Sequence, residues 1–163
     1  MKQLLLLRHA KSSWQDDSLS DHQRPLNDRG ERDAPRIGRL ICEQGLIPDL
    51  IISSSATRAQ QTARAVATEC DGKELLQVTD ELYHAAPQTY LSILVGLADN
   101  SERVLMVGHN PGIESLVEWL SGEPTTMTTA ALAHLQLSIE SWSQFESPQD
   151  ASLHGFWTPH DLD

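Results

Sequence analysis

Leu4-Leu5-Leu6-Leu7-Arg8-His9-Ala10-Lys11 is the most informative segment of the chain. Four consecutive leucines show no polar alternation, which suits a strand buried on both faces of a mostly parallel sheet. The run ends abruptly in an arginine and a histidine. In open α/β sheets, ligands bind beyond the carboxyl ends of the strands. Arg8 and His9 therefore fall where chemistry is done. A strand running into a solvated polar loop would look the same here, and three later stretches shift the balance.

Working outward, the same pattern recurs. Leu50-Ile51-Ile52-Ser53 and Val104-Leu105-Met106-Val107 are apolar runs of strand length, and Leu75 to Val78 is a weaker third. Helical spacing fills the intervals. Asn27 can cap a helix whose buried face is Ala34, Ile37, Leu40 and Ile41; Pro35 should kink it, and Gly45 ends it. Ala59, Ala63, Val66 and Cys70 form the stripe of a second helix, opened by Arg58 after the hydroxyl-rich turn Ser54 to Thr57. Leu91, Leu94, Val95 and Ala98 mark a third. Ile113, Leu116, Val117 and Leu120 mark a fourth, with Asn110 as its cap and Pro111 in its first turn. From Leu132 to Ile139, and more weakly from Ser152 to Thr158, the period changes to two, which predicts two late, edge-side strands. Strands alternating with helices predict an α/β fold: a three-layer α/β/α sandwich around a mostly parallel sheet.

At 163 residues the chain reads as a single domain, residues 1–163. Its net charge of −11 argues against a nucleic-acid partner, which needs a basic patch. No apolar run reaches membrane-spanning length, and Met1 to Leu7 is too short for a signal peptide. Cys42 and Cys70 share no metal-ligand spacing and read as reduced core thiols. These features together predict a cytoplasmic protein. Ser12 to Gln23 is a polar loop in which Trp14 either covers a core edge or walls a site.

Two buried strands end in histidine, at Leu7-Arg8-His9 and Val107-Gly108-His109, and a third leads within a few residues to Arg58. Parallel strands place their carboxyl ends on one edge, so Arg8, His9, Arg58 and His109 can converge. Two arginines and two histidines in one cleft make a concentrated anion site, and the arginine fork matches phosphate oxygens. The helix beginning at Asn110 adds free backbone N–H groups and a positive dipole end, which bring Asn110 into the phosphate-binding set. Phosphate is the ligand this pattern implies. There is no P-loop, no dinucleotide fingerprint, no HExxH and no zinc-like histidine pair, so neither metal nor organic cofactor is expected. His22, His84, His134, His154 and His160 are scattered and read as surface or core residues, with His84 distinguished by lying at a strand's carboxyl end.

The segments Leu7-Arg8-His9-Ala10-Lys11, Ser53-Ser54-Ser55-Ala56-Thr57-Arg58-Ala59-Gln60-Gln61-Thr62-Ala63 and Val107-Gly108-His109-Asn110-Pro111-Gly112 together resemble the histidine phosphatase superfamily, which includes the phosphoglycerate mutases. Arg24-Pro25-Leu26-Asn27-Asp28-Arg29-Gly30 and Met127-Thr128-Thr129-Ala130 extend the likeness. The short SixA-like phosphohistidine phosphatases are the branch it is most similar to. Ala10 stands where the superfamily usually has glycine, which removes no catalytic group.

The resemblance implies a phosphoglycerate mutase-like fold and a metal-independent phosphatase. In it His9 is the nucleophile, and Arg8, Arg58 and His109 bind the phosphoryl oxygens. A protonated His109 would add charge to that of the arginines. Water then attacks phospho-His9. Mutases and ester phosphatases of the superfamily place a carboxylic acid near the end of the third strand, and Glu81, with Asp80 second, lies in that stretch. Glu81 is either that general acid or a solvated loop carboxylate. The segment between Thr62 and Gly108 has room for one strand, one helix and loops, with no capping insertion. A phosphoryl group carried on a protein could then reach His9. The expected partner is a phosphohistidine protein. The alternatives are a small phosphorylated substrate and, in a different class, a non-catalytic phospho-ligand module.

Overall fold

The computed structural model describes residues 1–163. The leucine run forms β1 (Lys2–Arg8), followed by α1 (Asp28–Glu43), β2 (Leu50–Ser54), α2 (Thr57–Glu69), β3 (Leu76–Thr79), α3 (Pro87–Val95), β4 (Arg103–Gly108), α4 (Gly112–Ser121), β5 (Leu132–Leu137) and β6 (Ala151–Trp157). The six strands make one sheet in the order β3-β2-β4-β1-β5-β6. The first four in that order run parallel, while β5 and β6 are antiparallel to their neighbours.

β1 lies inside this sheet, and its leucines divide between two cores. Leu4 and Leu6 pack on one face with Ile113, Leu116 and Val117 of α4 and Tyr90 and Leu94 of α3. Leu5 and Leu7 pack on the other with Ile37 and Ile41 of α1 and Ala59, Ala63 and Val66 of α2. All four are completely buried. Each such burial contributes about 1.5–3 kcal/mol, and this is why the run tolerates no polar residue on either face.

The helices form where the spacing placed them, except that Ala98 falls past the end of α3 and Asn110 does not cap α4. The Asn27 side chain accepts from the Gly30 N–H and caps α1, which runs through Pro35 to Glu43 and is followed by Gly45 with φ +69°. α4 begins two residues after Asn110, and the Asn110 amide instead donates to the Met127 carbonyl at 2.9 Å and to Glu114 at 3.3 Å.

The two late strands lie together on one side of the sheet, as expected. Only β6 of the late strands is an edge. β5 sits between β1 and β6, paired antiparallel with β1 from Lys2 to Leu7, and is almost wholly buried. Its period-two pattern describes one strand's faces and carries no information about its neighbours. Cys42 and Cys70 are free thiols whose sulfurs lie 2.9 Å apart between α1 and α2. No helix is long and apolar enough to cross a membrane.

Candidate active site

Because β1, β2 and β4 run parallel, their carboxyl ends share one edge. Arg8 pairs in register with Gly108, and Ser53 with Val107. The residues just past these ends, His9, Ser55 and His109, are thereby brought together. Gly108 has a specific reason to be glycine: a Cβ there would run into the Tyr90 hydroxyl, which also accepts from the His109 N–H at 3.4 Å.

A cavity of about 220 Å³ opens at this edge, lined by Arg8, His9, Lys11, Ser12, Trp14, Arg24, Arg58, His84, His109, Asn110 and Thr129. The residues singled out from sequence therefore meet, apart from Glu81. The His9 and His109 ring centroids are 5.0 Å apart. Trp14 is 73% exposed and stacks on the Arg24 guanidinium, so it walls the cavity and covers no core. Glu81 is exposed at the start of a short 3₁₀ turn (Asp80–Leu82) and does not line the cavity.

His9 is held by a contact of 2.7 Å between its Nδ1 and the Ala10 carbonyl oxygen. A carbonyl only accepts, so Nδ1 carries the hydrogen and Nε2 keeps its lone pair. Burial, then the positive charges of Arg58, Arg8 and Arg24, outweigh the Ala10 contact and lower the pKa to about 4. The ring is therefore neutral at neutral pH, with a free lone pair on Nε2. His109 bonds through Nε2 to the Ser54 hydroxyl at 2.8 Å. Burial, followed by the neighbouring His9, Arg58 and His84, lowers its pKa to about 3 despite Asp21. Burial thus favours a neutral His109 ring, where a protonated ring was expected to add charge. The positive charge comes from the arginines.

One residue that sequence reasoning passed over organises these arginines. Asp21, in the polar loop before α1, accepts from Arg58 Nη2 at 3.0 Å, Arg24 Nη1 at 2.9 Å and the Tyr83 hydroxyl at 2.7 Å. Its backbone carbonyl accepts from Arg58 Nη1 at 2.6 Å. Partial burial raises the carboxyl pKa, but the hydrogen bonds from Tyr83, Arg24 and Arg58 outweigh it and hold the group ionised well below the usual range. Nothing in the loop's composition marks this aspartate; only its position shortly before Arg24 hints at it. Arg24 itself is 7% exposed and is a third arginine of the cavity.

Three buried side-chain atoms have no hydrogen-bond partner: Arg8 Nε, His109 Nδ1 and Asn110 Oδ1. All belong to residues lining this cavity. Buried orphans are costly, about 1–3 kcal/mol each. Two of these atoms can donate, and an oxyanion seated here is the natural acceptor.

The depressed histidine values give a pH prediction. By NMR, the His9 ring should titrate near pH 4, where an ordinary histidine gives 6.5. Between those values the unfolded chain binds a proton that the folded chain does not, so stability should rise with pH across that window. A His9 midpoint near 6.5 would contradict the assignment of a neutral, desolvated ring.

A model of the histidine phosphatase superfamily (branch 1) matches residues 4–84. An uncharacterized chloroplastic protein of Arabidopsis thaliana is 33% identical, over 97% of this chain and 78% of its own length. The structure of SixA from Agrobacterium tumefaciens, a candidate phosphohistidine phosphatase, is 32% identical with a TM-score of 0.83, over 97% of this chain and 98% of that one. A protein histidine phosphatase SixA complexed with tungstate shares the fold at 24% identity, with a TM-score of 0.84 and 99% of each chain covered.

Proposed function

Because the chain belongs to the histidine phosphatase superfamily, we propose that it removes phosphoryl groups from a protein histidine through a phospho-His9 intermediate. The observation that carries this reading is the pairing of a nucleophile and an anion cradle in one small cavity. His9 presents a free Nε2 lone pair, and Arg8 Nε and His109 Nδ1 are buried donors without partners in the same lining. A SixA of the same fold is complexed with tungstate, itself an oxyanion.

In the first step His9 Nε2 attacks phosphorus as the bond to the leaving nitrogen breaks. Arg8, Arg24 and Arg58 offset the charge spread over the equatorial oxygens, and the transfer depends mainly on positioning and electrostatics. Asp21 keeps the guanidinium of Arg58 in place without itself becoming neutral. Water then attacks phospho-His9 and releases phosphate. As phosphate enters, the His109 Nδ1 donor faces it, and the added negative charge favours a protonated ring.

A phosphorylated protein is the preferred substrate class. Small-molecule pockets typically run about 300–1,000 Å³, whereas this open cavity is smaller, at about 220 Å³, and encloses only part of a larger substrate. The rest of the substrate would then lie outside, against Trp14 and Lys11 at the rim. A single catalytic unit spanning residues 1–163 and a cytoplasmic location complete the proposal; the free Cys42 and Cys70 thiols suit a reducing compartment.

The test is a comparison of kcat/KM on a phosphohistidine protein or peptide with kcat/KM on a panel of phosphoesters. Preference for phosphohistidine by at least about tenfold is expected; a phosphoester turned over faster would overturn the substrate assignment. The arginines supply the charge, so turnover should also survive EDTA. Loss of activity restored by one divalent ion would contradict that.

A further inference from the structure

We infer that His84 is the proton donor to the leaving group, the role that the sequence suggested for Glu81. The inference rests on the reading of the cavity as a phosphoryl-transfer site, but not on which phosphorylated compound is the natural substrate. Its basis is geometric. His84 lines the cavity, whereas Glu81 does not, and no lining residue is a carboxylate. The His84 ring centroid is 6.0 Å from that of His109 and 4.0 Å from that of Tyr83. Its Nε2 is 3.5 Å from Asp21 Oδ2, the oxygen that also receives Arg58 and Tyr83. His84 Nε2 thereby faces the carboxylate that also receives the Arg58 guanidinium.

The backbone supports a purpose for this placement. His84 has φ +54°, in the left-handed region that non-glycine residues enter at a cost and that clusters at functional sites. The side chain is 61% exposed, so it borders the cavity from the solvent side, where a leaving group departs. His9 and His109 lie deeper, at 7% and 4% exposure. Of the three rings, His84 is the one free of the nucleophile and of the Ser54 contact.

The chemistry balances without a further reactant. His9 Nε2 forms its bond to phosphorus while the bond from phosphorus to the leaving atom breaks. The electron pair of that bond stays on the leaving atom, which takes the proton from His84 Nδ1, the ring nitrogen not turned to Asp21. His84 is then neutral. In the second step water attacks phospho-His9, its proton passes to His84, and the electron pair of the P–N bond returns to His9. The donor is restored as phosphate leaves. Assistance of this kind matters most when the leaving group is basic. Phosphohistidine protonated on its other ring nitrogen expels a neutral imidazole and needs less of it. His84 therefore extends the site's reach to phosphoesters with basic leaving groups.

The experiment measures kcat/KM, which reports the steps up to phosphorylation of His9, on p-nitrophenyl phosphate, phenyl phosphate and a phosphohistidine peptide. The variant is His84→Asn, since asparagine tolerates the left-handed conformation, with the melting temperature checked. The loss should grow with leaving-group basicity: about hundredfold on phenyl phosphate and only a few-fold on the p-nitrophenyl ester and on phosphohistidine. Glu81→Gln should leave the ratio between the two aryl esters as it is in the parent. An equal loss on both aryl esters, no loss on either, or a leaving-group-dependent loss in Glu81→Gln would overturn the assignment. If the parent fails on the phosphohistidine peptide while the aryl-ester pattern holds, the protein-histidine substrate falls and His84 stands.

Discussion

His9→Ala should abolish turnover, by at least about 10⁴-fold, while the melting temperature changes little. The magnitude follows from the role: a nucleophile that carries the covalent intermediate has no substitute in the cavity, and removal of such a group elsewhere costs a factor of this order or more. His109, the nearest ring, bonds through Nε2 to Ser54. Retention of the fold follows from the packing. The leucines of β1 end one residue before Arg8 and remain fully buried on both faces. The His9 side chain lies beyond them at the cavity. Steady-state turnover on any accepted phosphorylated substrate, alongside a thermal melt, checks both halves. Turnover within tenfold of the parent would remove His9 from the mechanism.

The second large effect is expected at Arg58. Arg58→Ala should lower kcat/KM by about 10³-fold, the range seen when a preorganised donor or phosphate-clamping arginine is lost. Two things go at once: the guanidinium charge and the partner that holds Asp21, which accepts both Arg58 nitrogens through its backbone and side-chain oxygens. Arg58→Lys separates them. Lysine restores a positive charge but not the planar fork, so it should recover only part of the loss. Full activity in Arg58→Lys would mean that charge alone matters and that the Asp21 clamp is incidental. Measuring both variants at saturating and limiting substrate distinguishes weakened binding from weakened transition-state stabilisation.

The sequence carried the sheet's parallel half and the cluster of Arg8, His9, Arg58 and His109 because both depend on local signals. A run such as Leu4 to Leu7 can be buried on two faces only within such a sheet, and parallel strands bring their ends to one edge whatever their order. The position of β5 did not follow from its residues. Leu135 and Leu137 alternate alike at an edge or in the interior, and pairing with β1 is a tertiary choice.

Asp21 escaped notice for a related reason. It lies in a loop without periodicity, and its importance comes from Arg24, Arg58 and Tyr83, which are distant from one another in the chain but meet at its carboxylate. The state of His109 was equally out of reach. A histidine beside two arginines suggests added positive charge. Burial reverses that expectation, because a desolvated ring among cations loses its proton first. Glu81 and His84 are three residues apart on one turn, and which of them faces the cavity is set by the backbone at His84, whose positive φ no composition rule anticipates.

The central claim is that the phosphoryl group passes through His9. The most direct measurement is rapid-quench trapping with a protein substrate labelled on phosphohistidine, followed by peptide mapping of the enzyme. The account predicts a transient label that is acid-labile and alkali-stable and that maps to the peptide containing His9. No such label should appear in His9→Ala. An acid-stable label on another residue, or phosphate release with no labelled enzyme at any time on the turnover timescale, would contradict it.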